Sequence, residues 1–232
     1  VGETGADFLN TNLNLGLDGV TVIMGILLAV VLVFQFKVKK YVPGIYWLAV
    51  VLISIVGTLI TDNLTDKIGV PLTITTIVFT ISLSIVFAAW YKKEKTLSIH
   101  SIVTSRREAF YWLAILFTFA LGTAAGDLLA EKIDLGYLLS LIIFGALIAS
   151  VAISHFVFKV NAILAFWLAY ILTRPLGASI GDYLSQDMSN GGVGLGPEIT
   201  SMIFLGIILA TVIYLAITKK DVIKKSNFGD LV

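Results

Sequence analysis

Four aspartates recur at one spacing and carry the main chemistry this sequence offers. Asp7, Asp62, Asp127 and Asp182 each stand five residues after a glycine (Gly2, Gly57, Gly122, Gly177) and two before a leucine. Further oxygen ligands lie close in sequence. Glu3 comes four residues before Asp7, and Asp66 and Glu131 come four after Asp62 and Asp127. Residues four apart share a face wherever a helix continues. Thr58, Thr61, Thr123 and Ser179 add hydroxyls, and Asn10, Asn12 and Asn63 add amides. An all-oxygen set suits a hard cation such as Mn2+ or Ca2+ better than Zn2+ or Cu+. Crowded, desolvated carboxylates also hold protons. The chain has no cysteine, two histidines and three methionines, which excludes thiolate sites and leaves too few ligands for a soft metal.

The motif glycines are 55, 65 and 55 residues apart, so the chain reads as four repeated units. It is 58% hydrophobic and 13% charged, with a mean hydropathy of +0.97. A soluble domain is about half apolar and about a quarter charged, so the solvent here is a bilayer. Apolar runs fall at about 19–36, 45–62, 72–91, 109–127, 137–158, 161–182 and 199–218, each near the 20 residues that a crossing helix needs. The expected fold is an all-α polytopic bundle of two-helix repeats at 1–40, 41–95, 106–159 and 160–220. A loop at 92–108 separates the halves and a tail occupies 221–232.

Trp47, Trp112 and Trp167 each precede their motif glycine by ten residues and read as interfacial anchors. The matching tryptophan of the first unit would fall before Val1, so an earlier helix is expected in the intact protein, giving eight in four pairs. Gly25, Thr80 and Gly145 stand 23 residues after their motif glycines, and Gly206 stands 29 after its own. Together with the motif glycines they read as contacts for close helix packing.

Thirteen lysines and arginines, from Lys37 to Lys225, flank the connections between pairs; only Lys67 and Lys132 lie on the aspartate side. The positive-inside rule then puts the basic loops and the C-terminus in the cytoplasm of a plasma-membrane protein, with the aspartates toward the outside. Trp112 to Asp127 is fifteen residues, about 22 Å of helix. That depth places the carboxylates in the outer third of a core about 30 Å thick. Arg174 is the one basic residue inside a span. A buried arginine is costly and normally has an acidic partner, and closure of the fourth unit on the first predicts a Glu3–Arg174 pair.

With its unit defined as Trp-Leu-Ala, then Gly-x-x-x-x-Asp-x-Leu ten residues after the tryptophan, then a second apolar helix, the chain resembles a bacterial membrane-protein family. That family is built of four tandem two-helix repeats with a characteristic tryptophan and is often labelled simply as membrane-anchored protein. The resemblance spans the whole chain and implies a helix before residue 1, but it implies no activity.

Function must therefore be argued from the residues. The leading expectation is a small transporter, not an enzyme, that binds a hard cation at the aspartates, with exchange against protons open. It would need no covalent cofactor and no nucleic acid; its partners are the bilayer and the cation, and self-association stays open. A cation channel comes second, on a faint likeness of Gly192-Val-Gly-Leu-Gly196 to a carbonyl filter. An intramembrane hydrolase using paired aspartates and a non-transporting scaffold are the remaining classes.

Overall fold

The computed structural model describes residues 2–12, 16–38 and 41–220, apart from the side chains of Glu3, Asp7 and residues 10–12. Among the described residues there are eight α-helices and no strand. They are α1 Gly2–Asn12, α2 Gly16–Lys37, α3 Pro43–Asp62, α4 Leu72–Glu94, α5 Ser105–Asp127, α6 Gly136–Phe156, α7 Ala162–Ser185 and α8 Gly196–Thr218. All but α1 are long and apolar enough to cross a membrane, which makes this a multi-pass membrane protein. Short polar signals set the ends. Asn161 caps α7 by accepting the amides of Ile163 and Leu164, and Lys95 and Lys219 end α4 and α8 in the left-handed conformation.

The helices form two concentric layers. The apolar windows of α3 and α5 are 61% and 50% buried, against 28% for α7 and 17%, 22%, 11% and 11% for α2, α4, α6 and α8. Packing of α1 on α3, α3 on α5, α5 on α7 and α7 on α1 makes the odd helices an inner ring, and the even helices present residues such as Val30, Ile81 and Ile142 to lipid. Each even helix packs on the odd helix of the next unit: α2 on α3, α4 on α5, α6 on α7, and α8 on α1. The last contact closes the ring, and the Ser201 hydroxyl donates to Thr4 across it at 2.9 Å.

Two expectations are corrected. A Cβ added at Gly25, Gly145 or Gly206 would meet nothing within 4 Å, so these glycines face open space on the outer layer and pack no neighbouring helix. Two of the three motif tryptophans do not face lipid as anchors would. Trp112 and Trp167 are 4% exposed. Trp167 donates its indole N–H to the Leu97 carbonyl at 2.9 Å and packs edge-on against Phe87, Trp90 and Tyr170. Trp112 donates to Glu108 at 3.4 Å, and the half-buried Trp47 packs edge-on against Tyr46. A buried indole needs an acceptor, and at the basic end of the ring a loop carbonyl and Glu108 supply one for Trp167 and Trp112.

Candidate functional site in the inner ring

The motif glycines are where successive inner helices meet. A Cβ on Gly2 would sit 3.0 Å from the Ser54 carbonyl oxygen, and one on Gly57 would sit 2.6 Å from the Phe119 Cβ. A Cβ on Gly122 would overlap Arg174 and lie 3.1 Å from the Pro175 nitrogen. In every case the glycine receives the residue three places before the next motif glycine. The repeat therefore recurs because the same close approach recurs, as expected for membrane helices packed through small residues. Gly177 makes no such contact.

One position above these contacts, Thr58 and Thr123 share a buried hydroxyl–hydroxyl hydrogen bond of 3.0 Å between α3 and α5. Thr61 donates to the Ala120 carbonyl at 3.0 Å. The third helix of this series has an alanine, Ala178, at the matching position.

The aspartates crown this layer at what may be called the acidic end. Asp182 is buried, 6% exposed, and Asp62 and Asp127 are half-buried. Ser179 and Ser185 lie three residues to either side of Asp182, all three buried. Both serine hydroxyls lack a hydrogen-bond partner. Tyr137, at the start of α6, is within electrostatic reach of Asp127, Asp182 and Glu131 and donates to Glu131 at 3.3 Å. The acids of units three and four thus lie around Tyr137, whereas the side chains of Asp7 and Glu3 fall outside the described residues.

Directly after Asp62 and Asp127 the helices widen into π-turns, Asn63–Lys67 and Leu128–Lys132. Residues four apart still lie near one face in such a turn, whose bonds run from i to i+5. Asp66 is exposed and accepts from Thr65 at 3.0 Å. Glu131 is exposed and reaches the group only through Tyr137. Among the described residues no three acids or histidines assemble as a metal cluster.

Arg174 occupies the middle of α7. Its guanidinium carbon lies 3.7 Å from the Phe119 ring centroid and 4.5 Å from that of Tyr170, and its Nε has no hydrogen-bond partner. The Glu3 half of the expected pair is outside the description. A cavity of about 320 Å³ opens at this height, lined by Ser54, Thr58, Phe119, Thr123, Arg174 and Phe204 among others. Toward the basic end, Tyr170 stands beside Tyr111, and Tyr111 and Tyr46 join their hydroxyls at 2.5 Å.

The family description Repeat of Unknown Function (DUF347) matches the chain four times, at residues 1–41, 45–96, 110–161 and 165–221. The chain belongs to this family. No curated protein and no solved structure matches it. Each DUF347 unit thus corresponds to one odd helix of the inner ring and the even helix that follows it. Sequence reasoning missed Tyr137, Ser185 and Tyr170. The i±3 spacing of Ser179 and Ser185 about Asp182 was a usable signal; Tyr137 and Tyr170 belong to no repeated pattern and had none.

Proposed function

We propose that the protein is a small transporter that binds a hard cation at the acidic end of the inner ring, with Asp182 and Asp127 as its central ligands. One observation carries this reading: a buried carboxylate, Asp182, is flanked one helical turn above and below by the buried, unpartnered hydroxyls of Ser179 and Ser185. Buried hydroxyls in native proteins are almost always satisfied, and an exception calls for a water or ion. Three oxygens along one helix, with Asp127 on the neighbouring inner helix and both acids close to Tyr137, would offer a hard-cation ligand set. An ionisable group retained inside a membrane is itself a mark of an ion path. The excess of Lys and Arg at the opposite end supports an orientation in the plasma membrane with the acids outward. Asp62 and, by repeat position, Asp7 would complete the ring; Asp66 and Glu131 lie at its mouth.

The channel reading has less support. The amides of Val193, Gly194 and Leu195 donate to carbonyls of Tyr183, Gln186 and Leu184, so the glycine-rich loop folds back as a cap on α7 and does not line a pore. The deciding experiment is uptake of Mn2+ by proteoliposomes holding the full chain and a quenchable dye. Asp182→Asn is expected to abolish uptake, and Ser179→Ala with Ser185→Ala to weaken apparent affinity by about tenfold, the scale of a lost charge-assisted contact. Uptake that survives Asp182→Asn and Asp127→Asn together would sink the proposal.

A further inference from the structure

Units two and three build their acidic ends on one plan, with equivalent positions 65 residues apart: Asp62 and Asp127, Asp66 and Glu131, Leu72 and Tyr137. In both, a π-turn follows the aspartate. In both, two backbone bonds then lead into the even helix: Ile68 to Asn63 and Val70 to Leu64 in one, Ile133 to Leu128 and Leu135 to Leu129 in the other. Gly69 and its equivalent Asp134 both take the left-handed conformation. One scaffold thus sets a leucine at the head of α4 and a tyrosine at the head of α6. We infer that Tyr137 is the positioning residue for Glu131 at the proposed cation site: its hydroxyl holds that carboxylate near Asp127 and Asp182, so that a cation at the junction of units three and four meets three negative charges and not two.

Contact is the first support. Tyr137 donates to Glu131 at 3.3 Å, and Asp127 and Asp182 lie within its electrostatic reach. A phenol on α6 therefore stands among acids carried by α5, by the π-turn and by α7. The tether of the equivalent acid is the second. Asp66 accepts from Thr65, its neighbour within the same turn, at 3.0 Å. The counterpart of Thr65 in unit three is Ala130, which offers no hydroxyl. Two differences between the units, Thr65 against Ala130 and Leu72 against Tyr137, move the tether from the turn to α6. Units one and four carry Thr11 and Gln186 at the position of Glu131, and no acid. Need is the third. Glu131 is exposed on its turn, where a long side chain loses rotamer freedom when it is fixed, and repulsion from two nearby carboxylates drives it outward. A hydrogen bond to an ionised acceptor is of the stronger kind and opposes both effects.

Tyr137 has this role only if the acidic end binds a cation, as proposed above. The full chain in detergent micelles is titrated with Mn2+, and free Mn2+ is read by electron paramagnetic resonance. Tyr137→Phe keeps the ring and removes the hydroxyl. Tyr137→Leu, which copies the residue that unit two has here, is a second variant should the first fail to fold. Each is expected to weaken binding about tenfold, the scale of a lost charge-assisted contact. In proteoliposomes the Mn2+ concentration for half-maximal uptake should rise by the same factor with the maximal rate unchanged, a split that general loosening of the fold would not give. Glu131→Ala should weaken binding at least as much, and adding Tyr137→Phe to it should cost nothing further, because Tyr137 acts through Glu131. Tyr137→Phe binding as tightly as the parent, or losses that multiply in the double variant, overturn the inference. The cation reading fails differently: Asp182→Asn then binds Mn2+ as the parent chain does.

Discussion

Adding one methyl group at Gly57 separates the two kinds of glycine in this chain. The Cβ of a Gly57→Ala protein would start 2.6 Å from the Phe119 Cβ and 3.1 Å from the Ala120 amide nitrogen. Neither atom is the end of a flexible side chain, so α5 as a whole must withdraw by about 1 Å to restore ordinary contact. Overpacking of this kind costs about 1–3 kcal/mol. The same withdrawal stretches the 3.0 Å Thr58–Thr123 bond one residue along, worth about 0.6–1 kcal/mol in a membrane interior. Against this, alanine gains about 1 kcal/mol over glycine in a helix, leaving a net loss of about 0.6–3 kcal/mol. Gly145→Ala has the propensity gain and meets nothing within 4 Å, so it stabilises by up to about 1 kcal/mol. For a chain of this length about 2–4 °C accompanies each kcal/mol, so the two midpoints should differ by about 3–16 °C. Thermal unfolding in a mild detergent, followed by tryptophan fluorescence, measures this. Equal shifts for the two variants would refute the assignment of Gly57 to a helix contact and Gly145 to open space.

Two further predictions concern contacts that no function is needed to test. Thr58→Val and Thr123→Val should be non-additive by about 0.6–1 kcal/mol in a double-mutant cycle, because they share one hydrogen bond; additive losses would mean that the two hydroxyls act separately. At the basic end, Glu94, 6% exposed, holds Arg106 and Arg107 at 2.5 and 2.7 Å, and Trp167 holds the Leu97 carbonyl. Glu94→Gln should loosen the segment between α4 and α5 and speed tryptic cleavage after Lys95 several-fold. Trp167→Phe should do so to a smaller degree, and cleavage unchanged in both would show that packing of Leu97, Ile99 and Ile102 alone fixes the segment.

The fold was readable because it is repeated. Gly57 and Gly122 stand in one frame, and a bilayer forces each apolar run into a helix that satisfies its own backbone, so both the helices and their pairing follow from spacing. What was not readable is which face each helix turns inward. The hydrophobic stripe that marks the buried face of a helix in water is absent when lipid is as apolar as the core. Gly145 and Gly122 are alike as letters, yet one faces open space and the other touches Arg174. The tryptophans misled for the same reason, since a position near the end of a span is compatible with a headgroup anchor or with an indole bonded to a buried carbonyl. The π-turn after Asp62 was also unreadable, since no residue type announces that change of helical period.

The departures from the repeat carry more of the functional argument than the repeat does. Units two and three share a π-turn after the aspartate and a threonine after the glycine. Unit four has neither. It has Arg174, an in-helix Pro175, the buried Asp182 between two unpartnered serines, and a long glycine loop that caps its helix. A proline inside a helix removes a backbone donor and weakens the turn around it, and here that proline directly follows Arg174 in the middle of α7. Symmetric units explain how a ring closes, but a ring of identical units would bind an ion on its axis or not at all. The buried acid, its two serines and Arg174 all stand on α7, with Asp182 about 12 Å in rise beyond Arg174 and Pro175 between them.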